Sequence, residues 1–281
     1  MQPVSIVGCG YTGRRLAERL RNSGAHVRGF ATSAASLQQI AALGVDALPL
    51  DLDAAMSPID FTGHLVYYSV PPARNDGDAR LVRFLESLGG APKRLVYLST
   101  TGVYGDQAGA TVNEDTAPAP RTERAIRRMA AETALRGWAD SHDASWCILR
   151  VAGIYGPGRL PLERLRRGVP SLLPQDATPG NRIHVTDLVT ACVAAGFAAA
   201  ADRRIYNVTD GSDHTVTDYL QRVARLARLP SPPLVSRAEA ERTLGESRRV
   251  DNGRMLKELG VELEYRDLDA GIGASLEEPR P

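Results

Sequence analysis

Four short apolar runs mark the first half of the chain, at residues 4–7, 65–70, 95–98 and 146–149. They do not alternate with polar positions, which is the pattern of strands covered on both faces. Between them the apolar spacing becomes helical. After Gly13, the residues Leu16, Ala17 and Leu20 recur on one face, and Asn22-Ser23-Gly24 supplies a stop before an extended run over 26–30. A helix over 37–43, an extended run over 46–50 and a helix over 80–88 continue the series. This alternation predicts an α/β fold, a Rossmann-type doubly wound parallel sheet.

The texture changes near residue 151. Glycine and proline gather in Gly153-Ile154-Tyr155-Gly156-Pro157-Gly158 and again at Pro161, Pro170, Pro174 and Pro179-Gly180. These read as the loops of a small C-terminal substrate lobe. Residues 185–201, 205–208, 216–229 and 255–259 nevertheless return to helix or strand spacing. The expected organisation is a Rossmann domain over 1–150, then a mixed segment over 151–281 that contributes the last sheet elements and the lobe. After residue 150 no polar constellation distinctive of one substrate stands out.

Composition narrows the partners. With 281 residues and 43% hydrophobic content, the chain can bury one large core, or a core plus a small lobe. Lys and Arg number 34 against 33 Asp and Glu, so no net field draws the protein to nucleic acid or an anionic membrane. The expected partner is a small molecule. Cys9, Cys147 and Cys192 form no CxxC pair and read as reduced core residues, and the five histidines are scattered without ligand spacing, so no metal is expected. The start of the chain runs directly into an apolar strand, and no apolar run approaches the roughly 20 residues of a membrane helix, so a cytoplasmic address is expected.

The segment Gly8-Cys9-Gly10-Tyr11-Thr12-Gly13 follows the first strand and opens the first helix. In that context a GxGxxG turn binds the pyrophosphate of a dinucleotide. Gly8 is expected to permit the tight turn, Gly10 the approach of the pyrophosphate and Gly13 close helix packing, while the helix start at Tyr11 and Thr12 offers free N–H groups. The bland alternative, an ordinary glycine-rich turn, fits the setting less well. An NAD site usually carries Asp or Glu at the end of the second strand, where this chain reads Phe30-Ala31-Thr32-Ser33. With no carboxylate to repel a 2′-phosphate, and with Thr32, Ser33 and Arg14 as donors, NADP is favoured over NAD. Thr32 and Ser33 are also suited to cap the next helix, and the two roles can hold at once. Ser69, Val70 and Pro71 end a strand and are expected to line the cofactor, with Asp51 and Leu52 beside the adenine.

Residues 95–105, Leu-Val-Tyr-Leu-Ser-Thr-Thr-Gly-Val-Tyr-Gly, resemble the strand and active-site loop of the extended short-chain dehydrogenases/reductases, the NAD-dependent epimerase/dehydratase group. Segments 150–159, 181–187 and 206–208 are similar to that group's later motifs, in the expected order. Arg248-Arg-Val-Asp-Asn252 and Leu259-Gly260 resemble its atypical YeeZ-like branch. The resemblance implies an NAD(P)-dependent oxidoreductase or epimerase/dehydratase-like enzyme acting on a small polar substrate. It places Ser99 beside the cofactor and gives Thr100 the hydroxyl that hydrogen-bonds the reacting oxygen, stabilising charge that develops there.

The family's Tyr-x-x-x-Lys pair is missing. Aligning Pro120 and Glu132 puts Arg124 at the Tyr position and Arg128 at the Lys position. Arg128 is expected to bind ribose hydroxyls as a fixed cation. A guanidinium does not release a proton near neutrality, so Arg124 serves as a clamp for a carboxylate or phosphate. Against this stands a plainer reading, in which Arg121, Arg124, Arg127 and Arg128, with Glu123 and Glu132, form a solvated helix face. An apolar stripe of Ile126, Met129, Ala130 and Thr133 is expected on the opposite face, and the family's habit implies a homodimer through the 120–140 helix. Tyr104, Asp106, Tyr155 and His184 lie in segments near the expected cleft but read more readily as packing residues than as proton donors. The rival to an enzyme is a catalytically silent NADP-binding sensor.

Overall fold

The computed structural model describes residues 2–73, 79–240 and 246–277. The chain begins with β1 (Pro3–Val7), α1 (Tyr11–Asn22), β2 (His26–Ala31), α2 (Ala34–Ala41) and β3 (Asp46–Pro49). It continues through β4 (Leu65–Tyr68), α3 (Ala79–Glu86), β5 (Arg94–Thr100), β6 (Thr111–Val112), α4 (Glu123–Ser141) and β7 (Trp146–Val151). Next come β8 (Gly153–Tyr155), α5 (Leu162–Arg166), β9 (Ser171–Leu172), β10 (Arg182–His184), α6 (Val185–Phe197) and β11 (Arg204–Val208). The last elements are α7 (Val216–Leu226), β12 (Leu234–Val235), β13 (Arg249–Val250), α8 (Gly253–Leu259) and α9 (Leu268–Glu277).

Seven of these strands form one parallel sheet in the order β11-β7-β5-β4-β1-β2-β3. The order reverses between β1 and β4, which opens a crevice at the carboxyl ends of those strands. Each face carries its own core. Val4, Ile6, Leu65 and Tyr67 are buried with α1 and α6, whereas Val66, Tyr68, Leu95 and Tyr97 are buried with α3 and α4. Double coverage is the physical reason for the uninterrupted apolar runs. A separate cluster of Tyr155, Leu165, Tyr219, Leu220 and Ile272 joins α5, α7 and α9 into a small lobe beside the crevice. Among the described residues no helix is long and apolar enough to cross a membrane.

Local signals explain the helix limits. Gly24, at φ +85°, turns the chain after α1, and the Thr122 side chain accepts the Ala125 N–H at 3.2 Å to start α4. One expectation about α4 is corrected. Ile126 is 51% exposed and Ala130 and Thr133 are also exposed, while Arg128 and Glu132 are buried with Ala125, Ala131 and Leu135. Two of the charges expected on a solvated face, Arg128 and Glu132, therefore face the sheet, while Arg121, Glu123 and Arg124 are exposed as that reading has them. The two buried charges are tolerated there because β5 and β7 supply their partners, which no local spacing reveals. The three cysteines are buried and unpaired, and burial pushes the thiols of Cys9 and Cys192 up to about 12.

Candidate functional site

The glycine turn is held by backbone hydrogen bonds. Gly8 N and Cys9 N both donate to Phe30 O, at 3.1 and 2.8 Å, and Gly10 N donates to Gly8 O at 2.7 Å. Gly8 lies at φ +84°, and a Cβ there would stand 2.8 Å from Val70 Cγ2 and 2.9 Å from Val70 N. A Cβ on Gly13 would press on Ile6 Cγ2 and Gly8 O at 3.2 Å, so close packing of α1 on β1 requires glycine at that position. Gly10 differs, because a Cβ there would meet only Gly8 O, at 3.9 Å, and otherwise open space. Helix α1 has no side-chain cap and no acidic residue in its first turn, so its first N–H groups are left to an anion. This cradle fits a dinucleotide pyrophosphate.

The turn forms one wall of a cleft of about 1150 Å3 that runs along the carboxyl ends of β1, β4, β5 and β7. Besides Gly8, Gly10, Tyr11, Thr12 and Gly13, it is lined by Ser69, Val70 and Pro71 after β4. At one end stand Thr32, Ser36, Asp51, Leu52 and Asp53. Ser33 is absent from the wall: its hydroxyl accepts the Ser36 N–H at 3.2 Å and caps α2, so the capping role wins. Arg14 is likewise turned aside, donating to Gln39 Oε1 at 2.6 Å. Arg80 binds Asp53 through both carboxylate oxygens, which lowers the Asp53 carboxyl below its ordinary range.

At the other end the cleft meets Ser99, Thr100, Arg124 and Arg128. Thr100 ends β5 and caps the short 3-10 turn Thr101–Tyr104, its oxygen accepting the Gly102 N–H at 3.2 Å. That bond fixes the oxygen and leaves the hydroxyl hydrogen free to donate. Ser99 turns instead to the interior and donates to Glu132 Oε1 at 2.5 Å. Glu132 is fully buried and takes Arg150 on both oxygens, with Arg150 Nη2 2.8 Å from Oε2. Burial opposes the Arg150 charge, yet hydrogen bonds to Glu132 and its field outweigh burial and hold the guanidinium above its ordinary value. The Arg150 guanidinium lies 4.9 Å from the centre of the Tyr104 ring, and Tyr104 donates to Asn207 Oδ1 at 2.8 Å. This network clamps the Thr101–Tyr104 turn onto β5, β7, β11 and α4.

Arg128 donates through Nη1 to Tyr97 Oη and Leu98 O, both at 3.0 Å, and its Nε is buried without a partner. Arg124 is exposed at the mouth and, among the described residues, makes no hydrogen bond or ion pair. The remaining acid–base possibilities lie outside the cleft wall. Tyr104 and Tyr155 are buried, and desolvation pushes both hydroxyls up. Asp106 accepts the N–H groups of Ala108 and Ser247. His184 is buried against Tyr265, its ring nitrogens meeting Thr186 N and Ser275 Oγ, and desolvation lowers it to about 4.

Sequence reasoning missed a second set of groups. Arg159, Asn181, Arg182, Glu246 and Arg248 also line the cleft, which corrects the expectation that the later segment holds no distinctive polar constellation. Arg248 Nη1 contacts Glu246 Oε2 at 2.8 Å and Gly105 O at 2.7 Å, against the loop that follows Thr100. Glu246 Oε1 is buried with no partner among the described residues. Asn181 fixes this strand by bonding Arg248 O and Val250 N, each at 2.9 Å. The motifs at 150–159, 181–187 and 248–252 were the available signal, but they do not show which side chains turn inward. No cluster of metal-ligating side chains occurs among the described residues.

Sheet order, glycine turn and cleft together define a Rossmann-type α/β protein. The chain belongs to the NAD dependent epimerase/dehydratase family, which residues 4–209 match. It is 28% identical to Protein YeeZ of Escherichia coli K12 over 95% of this chain and 97% of that protein. A conserved protein of unknown function from Silicibacter pomeroyi has a solved structure with 29% identity, TM-score 0.80 and 98% of both chains covered. The fold is also that of UDP-glucose 4-epimerase from Thermotoga maritima, at 19% identity and TM-score 0.76, covering 98% of this chain and 97% of the other.

Proposed function

We propose that the protein is an NAD(P)-dependent oxidoreductase or epimerase-like enzyme acting on a small polar substrate that carries an anionic group. The observation that carries this reading is the single cleft that brings the open space at Gly10, the Thr100 hydroxyl and the unpaired Arg124 together. Structures that share the fold include the Thermus thermophilus UDP-glucose 4-epimerase in complex with NAD, at 22% identity and TM-score 0.78, covering 99% and 98% of the chains.

Gly8, Gly10, Gly13 and the α1 N-terminus hold the pyrophosphate in this reading. Ser69, Val70, Pro71 and Ser99 flank the nicotinamide half, and Asp51 and Leu52 the adenine. NADP is preferred because Ala31 and Thr32 stand where a ribose-binding carboxylate would repel a phosphate, with Thr32 and Ser36 as donors. Once bound, the nicotinamide supplies hydride acceptance or donation. Thr100 donates to the reacting oxygen, Arg128 fixes the ribose hydroxyls and Arg124 holds the substrate anion. Arg124 replaces the family's tyrosine and moves no proton. The acceptor for the substrate hydroxyl proton is then Glu246, whose Oε1 has no other partner. The exposed Ile126 on α4 gives a homodimer its contact face.

The reading is tested by following NADPH absorbance with a panel of small hydroxy and keto acids and their phosphates. We expect a turnover that persists in Thr100→Ser and is lost in Thr100→Val and Glu246→Gln. Tight NADPH binding without turnover of any panel member would overturn the enzyme and leave the silent sensor.

A further inference from the structure

Beside the main cleft, opening from it through Arg159 and Arg182, lies a side pocket of about 240 Å3. Its walls are apolar at Ile154, Val216 and Leu220, and its charged groups are all cations. Arg182 stacks on the Tyr219 ring at 4.0 Å, and Arg159 stacks on the Tyr11 ring at 4.1 Å. Among the described residues neither guanidinium makes a hydrogen bond or an ion pair, and Arg182 Nε is buried without a partner. Arg164, on the same wall, donates to Pro170 O at 2.7 Å and adds a third positive charge.

Arg159 is exposed, whereas Arg182 is half-buried with its Nε covered, and folded chains normally pair a desolvated cation of that kind. Burial lowers both Arg159 and Arg182 below their ordinary value. The carboxylate that Arg182 feels is Asp210, but the two form no ion pair, and burial pushes the Asp210 carboxyl up toward its neutral form. A guanidinium lying on a ring keeps its in-plane N–H fork available for an oxyanion. Ligand pockets usually span roughly 300–1,000 Å3, so this one suits a single small group rather than a nucleotide.

We propose that this side pocket, with Arg182 and Arg159 as its donors, is the receptor for a carboxylate or phosphate group of the substrate, whose few carbons lie on Tyr219. This deepens the enzyme reading above by assigning the substrate class: a small organic acid or phosphate ester with two anionic groups, one in the side pocket and the other on Arg124, while its reacting oxygen reaches Thr100.

Calorimetric titration of inorganic phosphate and of succinate, each into NADPH-saturated protein, tests it and separates the two anion chemistries. At least one anion is expected to bind wild-type protein, with affinity reduced tenfold or more in Arg182→Gln and Arg159→Gln and partly restored in Arg182→Lys. NADPH affinity should be the same in Arg182→Gln and wild type. Without anion, Arg182→Gln should melt at or above the wild-type temperature, since an uncompensated charge has been removed, whereas a purely structural arginine would lower it. Absence of anion binding to wild type, or unchanged binding in Arg182→Gln, overturns the proposal. So does phosphate binding that NADPH abolishes and Arg182→Gln leaves intact, which would place the anion in the glycine turn. Failure of NADPH itself to bind counts against the cofactor reading alone, because the anion titrations are read equally well without it.

Discussion

Thr100 combines a structural task with the chemical one proposed for its hydroxyl. Its oxygen caps the following turn through Gly102 N, and its hydrogen is available to the cleft. Removing one such donor from a charge-stabilising site costs roughly 10²–10³ in kcat, so Thr100→Val should lose that factor while Thr100→Ser retains most activity. His184 carries a prediction about pH. Its buried ring titrates near 4 in the folded protein against about 6.5 when unfolded, so the unfolded state binds more protons between those values. The stability it contributes is full above pH 6.5, falls as pH drops through that window and is exhausted below 4, a change of about 3 kcal/mol. Urea midpoints measured across the window should fall more steeply for wild type than for His184→Gln. Such residues differ in legibility. Thr100 was readable because it sits inside a motif, and His184 because apolar neighbours flank it. Ser33 offered the sequence two compatible roles, and its bond to Ser36 N shows the capping one.

Helix α4 shows what an element's sequence conceals. Its arginines and glutamates at helical spacing suggest a wet surface, yet Glu132 is fully buried and joined to Arg150 on β7 and Ser99 on β5. A charge pair that spans two elements leaves no periodic trace, because each partner is read against its own neighbours. Breaking a buried pair by neutralising one member costs about 3–5 kcal/mol. Glu132→Gln should therefore lower the unfolding free energy, read from denaturant titration, by an amount in that range and loosen the Thr101–Tyr104 turn. A loss below about 1 kcal/mol would show that the pair is not desolvated in solution. The strands of the main sheet were far more legible, because burial on both faces writes itself as contiguous apolar runs. The two-residue strands β6, β9, β12 and β13 gave no such signal, since each is a single short pairing set by distant segments.

At the scale of the molecule, the reversal of strand order between β1 and β4 opens the crevice, and the lobe built on Tyr155, Tyr219 and Ile272 roofs its far end with arginines. The glycine turn that walls one half of the cleft was legible from its spacing alone. The arginines of the other half were not, because Arg159, Arg182 and Arg248 come from three separated segments that only the tertiary fold brings together. If the exposed Ile126 face joins two copies, Ile126→Asp should shift the protein from dimer to monomer in sedimentation while NADPH affinity is kept. Gly10 gives the central claim its sharpest test. A side chain there meets little protein but fills the space assigned to the pyrophosphate, so Gly10→Val should fold and melt like wild type. Calorimetric titration of both proteins with NADPH and NADH should show one saturable site per wild-type chain, tighter for NADPH, and at least tenfold weaker binding in Gly10→Val. No saturable binding of either dinucleotide to the wild type, or equal binding by a well-folded Gly10→Val, would contradict the account.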